Sequence, residues 1–268
     1  MRLNAAALAA LLAVAATVAA SPPMPVPFLE WEVVSRRPHD PGAFTQGLLV
    51  AEDGRLYEST GLYGSSSLRE VDPASGDVLR LRPLPDDEFG EGLAAIGDEL
   101  VQLTWMRGLA RRFDARTFEV VGRHRYEGQG WGLCYDGQRL IMSDGSDELE
   151  FRDPHTFEVL GSVSVTVGGQ SLARLNELEC VDGEVWANIW KRDLIVRIDP
   201  AVGHVTGVRD LAGIIEPHPA LADPGDVLNG IAYDTATETF LVTGKRWPEL
   251  IEIRVLDDEV PTVEAGTG

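Results

Sequence analysis

Five short apolar runs begin with the residue types that bind through hydrogen bonds or move protons. They are QGLLV (46–50), EGLAAI (91–96), WGLCYD (131–136), NELECV (176–181) and NGIAYD (229–234), and they recur at intervals of roughly 40–50 residues. Their first residues are Gln46, Glu91, Trp131, Asn176 and Asn229. Glu91 is the one acid in the set. It stands in FGEGLA (89–94), with a glycine on each side. Glycine follows the first residue in four runs, as Gly47, Gly92, Gly132 and Gly230. In a strand it marks close approach of a ligand or of another backbone, and both readings stand at this point. Polar residues at strand starts are also ordinary turn residues.

Composition singles out further side chains. The chain has only two lysines, Lys191 and Lys245, and past residue 20 only three asparagines, Asn176, Asn188 and Asn229. The asparagines and Lys245 all lie in the repeated strand runs. An arginine fork replaces a compact ammonium poorly, so a retained lysine can answer a specific need. Trp105, Trp131 and Trp190 end or begin channel strands, and Phe44 and Phe89 precede them. Core packing is the ordinary role of such rings. Their symmetry-related places suggest a lined pocket instead.

The elements that must position these residues follow from the same repeat. A second strand-like run trails each first one: RLYESTG (55–61), ELVQLTW (99–105), RLIMSDG (139–145), EVWANIW (184–190) and TFLVTGK (239–245). Four units continue with an alternating strand, a turn opening on Asp-Pro or Asp-Ala, and another strand, as in SLREVDPASGDVLRL (67–81). Alternation marks half-buried strands, and Asp-Pro initiates turns. Four strands per unit over five units predict an all-β, five-bladed β-propeller. The fifth unit, ending at ELIEIRV (249–255), lacks its last strand, and FLEWEVV (28–34) is expected to supply it and close the ring. Residues 209–228 form a long connection, with LAGII (211–215) a candidate short helical turn.

One propeller domain is expected over 21–256, with a flexible tail at 257–268. Residues 1–20 read as a secretory leader: Arg2, an apolar stretch, then Val18-Ala19-Ala20 before the cleavage point. A secreted or periplasmic location is therefore expected, with an uncleaved anchor as the alternative. A formal net charge of −20 repels nucleic acid and anionic lipid, so neither is expected as a partner. Cys134 and Cys180 could pair in an oxidising compartment or stand as separate buried thiols. The five histidines show no zinc-ligand spacing, and those in HDP (39–41) and DPH (153–155) read as turn residues. SDGSDE (143–148) is an acidic loop, read as a solvated turn or a calcium loop.

FTQGL (44–48), YESTGLYGSSSLRE (57–70), FGEGLA (89–94), LTW (103–105), GWGL (130–133), NELE (176–179), EVWANIW (184–190) and LNGIAYD (228–234) together resemble the plant-type glutaminyl-peptide cyclotransferases. These are the five-bladed propeller glutaminyl cyclases of plants and bacteria. The resemblance spans Phe28 to Val255. It implies that an N-terminal glutamine is closed to pyroglutamate with release of ammonia, by a monomer, without a catalytic metal. A structural calcium ion in the channel is a further implication. By the family pattern Glu91 is the key carboxylate, while Phe44, Gln46, Phe89, Trp105, Trp131, Asn176, Trp190 and Lys245 are pocket residues. Ring closure asks for a proton shuttle at Glu91 and an oxyanion partner at Lys245 or Asn176. Gln46 or Asn229 would bond the substrate amide. Two rival readings are a non-enzymatic propeller that binds peptides and a calcium-dependent propeller hydrolase.

Overall fold

The computed structural model describes residues 26–219, 221 and 223–256. The leader read at 1–20 and the tail read at 257–268 lie outside the described residues. Among the described residues there is no helix, and so none long and apolar enough to cross a membrane.

Five sheets form the blades. The inner strands are Thr45–Val50, Gly90–Ile96, Leu133–Tyr135, Leu175–Val181 and Leu228–Asp234 for blades one to five. Blades one to three each add three antiparallel strands outward. In blade four, Thr166–Val167 and Gln170–Ser171 extend the sheet to six strands. In blade five the outermost strand is Trp31–Pro38, paired antiparallel with Glu249–Val255. The two ends of the chain thus complete one sheet, as expected. The closing strand starts three residues later than FLEWEVV suggested, because Phe28 bridges to Val208 of blade four instead. The segment 211–215 is a turn and not helical. Its Leu211 and Ile214 are buried between blades four and five.

The Asp turns explain why the blades repeat. Asp72, Asp114, Asp153 and Asp199 each accept a backbone N–H two residues on, from Ala74, Arg116, His155 and Ala201 at 2.8–3.0 Å. Such Asx turns let the side chain take over a backbone bond that the tight reversal leaves open.

The apolar core is divided among the five seams between blades. Leu49, Tyr57 and Leu68 meet Leu93, Leu100 and Phe113 between blades one and two, for example. Cys134 and Cys180 form a disulfide between the inner strands of blades three and four, with Cα atoms 5.5 Å apart. The pairing settles the alternative left open by the sequence.

Of the glycines that follow the channel residues, Gly47, Gly92 and Gly132 face neighbouring backbone, while Gly230 faces the side chains of Thr243 and Thr45 at a φ of 128°. A Cβ on Gly92 would sit 2.5 Å from Leu133 N, and one on Gly47 2.7 Å from Leu93 N. No side chain fits there, so the inner strands can converge only as glycine. Blade four breaks the rule with Glu177. Its side chain crosses the axis and accepts the N–H of Leu48 at 3.3 Å and of Ile231 at 2.7 Å. Blades one, four and five are thereby stapled at the centre.

One turn residue was misread. His39 of HDP is buried, with Nδ1 2.7 Å from the Trp247 carbonyl and Nε2 3.0 Å from Glu58 Oε1. Both ring nitrogens face oxygen acceptors, which calls for an imidazolium. It ties blade five to blade one at the ring's closing seam.

Candidate active site

The inner strands do more than converge. Bulges interrupt their pairing between Thr45 and Gly47, Gly90 and Leu93, Leu175 and Leu178, and Leu228 and Ile231. A bulge re-aims side chains locally. Each of these falls on a channel residue: Gln46, Glu91, Asn176 or Asn229.

Nine of the ten residues expected in the site line one cavity of about 430 Å³: Phe44, Gln46, Phe89, Glu91, Trp105, Trp131, Asn176, Trp190 and Lys245. Every blade contributes. The aromatic residues form an arc around the mouth. Phe89 meets Phe44 and Trp105 edge-on at 6.1 and 5.6 Å between centroids. Trp131 meets Trp190 in the same way at 5.4 Å. Gln129 joins the two halves, its Oε1 accepting from Trp105 Nε1 at 2.7 Å and from Trp131 Nε1 at 3.0 Å. Lys245 completes the circuit with its ammonium 5.0 Å from the Phe44 centroid.

The floor is polar. Gln46 Nε2 donates to Glu91 Oε1 at 2.8 Å. Asn229 Nδ2 donates to Gln46 Oε1 at 3.1 Å and to the Thr45 carbonyl at 3.0 Å. Asn229 is the residue that does not reach the cavity. It lies fully buried behind Gln46, and its amide is spent on orienting that neighbour. Ser59 Oγ holds the Glu91 carbonyl and takes a bond from Gln102 Nε2 at 2.7 Å. Glu91 Oε2 accepts no hydrogen bond from the described residues.

Residues 5–255 match the family model described as glutamine cyclotransferase. The chain belongs to the glutamine cyclotransferase family. The cyclotransferase chain is 42% identical over 228 residues to a glutaminyl-peptide cyclotransferase of Arabidopsis thaliana, covering 84% of this chain and 71% of that relative. It also matches the crystal structure of Myxococcus xanthus glutaminyl cyclase with a TM-score of 0.78 and 37% identity. That match covers 87% of this chain and 100% of the other.

The electrostatics of the cyclotransferase cavity are those of a buried, opposed pair. Burial pushes Glu91 well above the usual carboxylate range, against the pull of the Lys245 charge and the Gln46 hydrogen bond. Burial also lowers Lys245 to about 8, with Glu91 opposing the fall and Lys191 adding to it. Glu91 is thus shifted up and Lys245 down, as occurs at functional sites where burial and an opposed charge act together.

Several parts of the cyclotransferase site lie outside the repeat. Asp223, Pro224 and Gly225 of the long connection line the cavity. Gln129 sits in a turn between blades. Nothing in the strand pattern marks these residues.

The channel acids are already bonded within the protein. Both oxygens of Glu177 accept backbone N–H groups, and Glu91 is bonded to Gln46. Among the described residues no group of three or more His, Cys, Asp or Glu side chains gathers for a metal. In the acidic loop Asp144 accepts the Ser146 N–H at 2.9 Å, and Asp147 bonds Ser171. Asp144 thus serves the loop's own turn, and Asp147 ties the loop to the strand Gln170–Ser171.

Proposed function

We propose that this chain converts the N-terminal glutamine of peptides to pyroglutamate, with Glu91 as the proton shuttle. The observation that carries the reading is that Glu91 and Lys245 line one aromatic-walled cavity and each feels the other's charge. The α-amine in its neutral form (terminal pKa near 8) attacks its own side-chain carboxamide carbon, and as the bond forms one N–H proton of the attacking nitrogen passes to the ionised Glu91. The N–C bond forms, the carbonyl oxygen gathers negative charge, and the ammonium of Lys245 or the amide of Asn176 takes up that charge. Glu91 then returns the proton to the leaving nitrogen, the C–N bond breaks, and ammonia departs. The indoles of Trp131 and Trp190 hold the side chain folded over its own amine, which supplies proximity.

Selectivity for a chain terminus follows from the floor. Gln46, Asn229 and Glu177 close the axis beneath Glu91, so an internal glutamine has no exit for the preceding residue. A propeller that only binds peptides has no need of a buried carboxylate opposed to a buried ammonium. One chain supplies every wall of the cavity, so the reading works with a monomer. The Cys134–Cys180 disulfide supports an oxidising compartment, in keeping with export.

The test is incubation with a Gln-initiated peptide, followed for loss of the mass of ammonia, with wild type and Glu91→Gln in parallel. Wild type should cyclise the peptide, and Glu91→Gln should fold but lose about 10²-fold or more in kcat. Turnover of the variant near that of wild type would remove Glu91 from the role.

A further inference from the structure

The turn after the second strand delivers side chains to the cavity in blades two, four and five: Trp105, Trp190 with Lys191, and Lys245. In four blades its second residue adopts a left-handed backbone: Leu62 at φ 85°, Gly145 at 87°, Lys191 at 61° and Arg246 at 59°. Different residues occupy this shared conformation: leucine, glycine, lysine and arginine. Blades four and five both place a cation there, each over an aromatic wall of the site. Lys191 Nζ is 4.6 Å from the Trp190 centroid, and Arg246 Cζ is 5.2 Å from that of Phe44.

The two cations differ in their partners. Arg246 is neutralised by Asp226 at 2.9 Å. Lys191 is exposed, lines the cavity, and pairs with no carboxylate among the described residues. In a chain with a formal charge of −20, an ammonium without a counter-charge at a binding mouth stands out. The other charged group at the rim is Asp223, whose Oδ1 already accepts the Gly225 N–H at 2.7 Å.

We infer that Lys191 is a specificity residue that reads a carboxylate on the second residue of the substrate. This rests on the cyclotransferase reading. With the terminal glutamine seated between Trp131 and Trp190 above Glu91, the next residue leaves the cavity past Trp190. A side-chain carboxylate there meets the Lys191 ammonium, whereas an acid beside Asp223 is repelled. The pair is exposed, so its effect is a preference and not a requirement.

The test compares kcat/KM for two peptides blocked as C-terminal amides, one beginning Gln-Glu and the other Gln-Gln. For wild type at low salt the Gln-Glu peptide should be favoured about threefold. The ratio should fall to about one in Lys191→Met, persist in Lys191→Arg, and shrink at about 1 M salt, where screening acts within ~3 Å. A wild-type ratio of one, or a ratio unchanged in Lys191→Met, overturns the inference while leaving the cyclotransferase reading intact. A Gln-Ala dipeptide as free acid and as amide forms a further arm. Discrimination confined to that arm assigns the carboxylate to the chain end and overturns the side-chain reading. If no Gln-initiated peptide is cyclised, the functional reading falls and the inference falls with it.

Discussion

Gln46 Nε2 donates to Glu91 Oε1 at 2.8 Å across the seam between blades one and two. The bond has one direction only, because Asn229 holds the other end of the Gln46 amide. It therefore favours the ionised carboxylate, as Lys245 does, while burial favours the neutral acid. Glu91 must be ionised to accept a proton, so both neighbours extend activity towards acid pH. Gln46→Leu should move the acid limb of the kcat/KM profile to higher pH. Lys245→Met should move it further the same way, measured on the residual activity. A limb that stays in place or moves to lower pH contradicts the pairing.

Gln129 should behave as a positioning residue. One amide oxygen fixes two indoles from adjacent blades, each bond being worth about 1 kcal/mol net. Gln129→Leu is expected to raise KM several-fold with a smaller change in kcat, and to alter the near-ultraviolet circular dichroism of the tryptophans. Gln129→Glu, which keeps an acceptor at that place, should restore most of both. Equal loss in the two variants would point to a folding role alone.

Glu177 is expected to matter for stability. Removing its carboxylate strands two buried N–H groups, at about 1–3 kcal/mol each. Glu177→Ala should lower Tm by roughly 5–15 °C at this chain length. A melting point within a degree of wild type would show that the central staple is dispensable.

His39 links the closing seam to pH. Burial opposes its charge, but Glu58, the Trp247 carbonyl and Asp40 outweigh it and raise its pKa. A raised histidine contributes stability that is complete below its unfolded value of about 6.5 and is lost as pH rises through the folded value. Wild type should thus melt progressively lower as pH climbs through that range. In His39→Gln the dependence should flatten. Glu58, lowered in the folded state despite its burial, acts at the other end. Its contribution is present above the ordinary glutamate range and fades as pH falls through its folded value.

Much of this was legible in the sequence because it repeats. The Asp turns and the channel residues recur in register, so blade number, ring closure and nine of the cavity residues could be read before any coordinate. What escaped was non-repeating. Gln129 and Asp223 lie between strands, and their roles come from contacts made only once the blades are assembled. Asn229 misled because it shares a repeat position with Gln46 yet spends its amide on Gln46 and Thr45. His39 misled for a related reason: a His-Asp-Pro string looks like a surface turn until Glu58 arrives from the next blade. The exception to the glycine rule at Glu177 was visible, but its reach across the axis was not.

The shared sheet at the ring's closure has a consequence for biogenesis. Lys245 and the strand that follows it are among the last described parts to emerge from the ribosome, while their partner strand Trp31–Pro38 is among the first. Because the cavity draws on all five blades, a nascent chain can hold four finished blades and still have no opposed carboxylate and ammonium. Competence should then switch on in a single late step, when the two ends meet. A chain released early by a premature stop would fold in part but never turn over substrate.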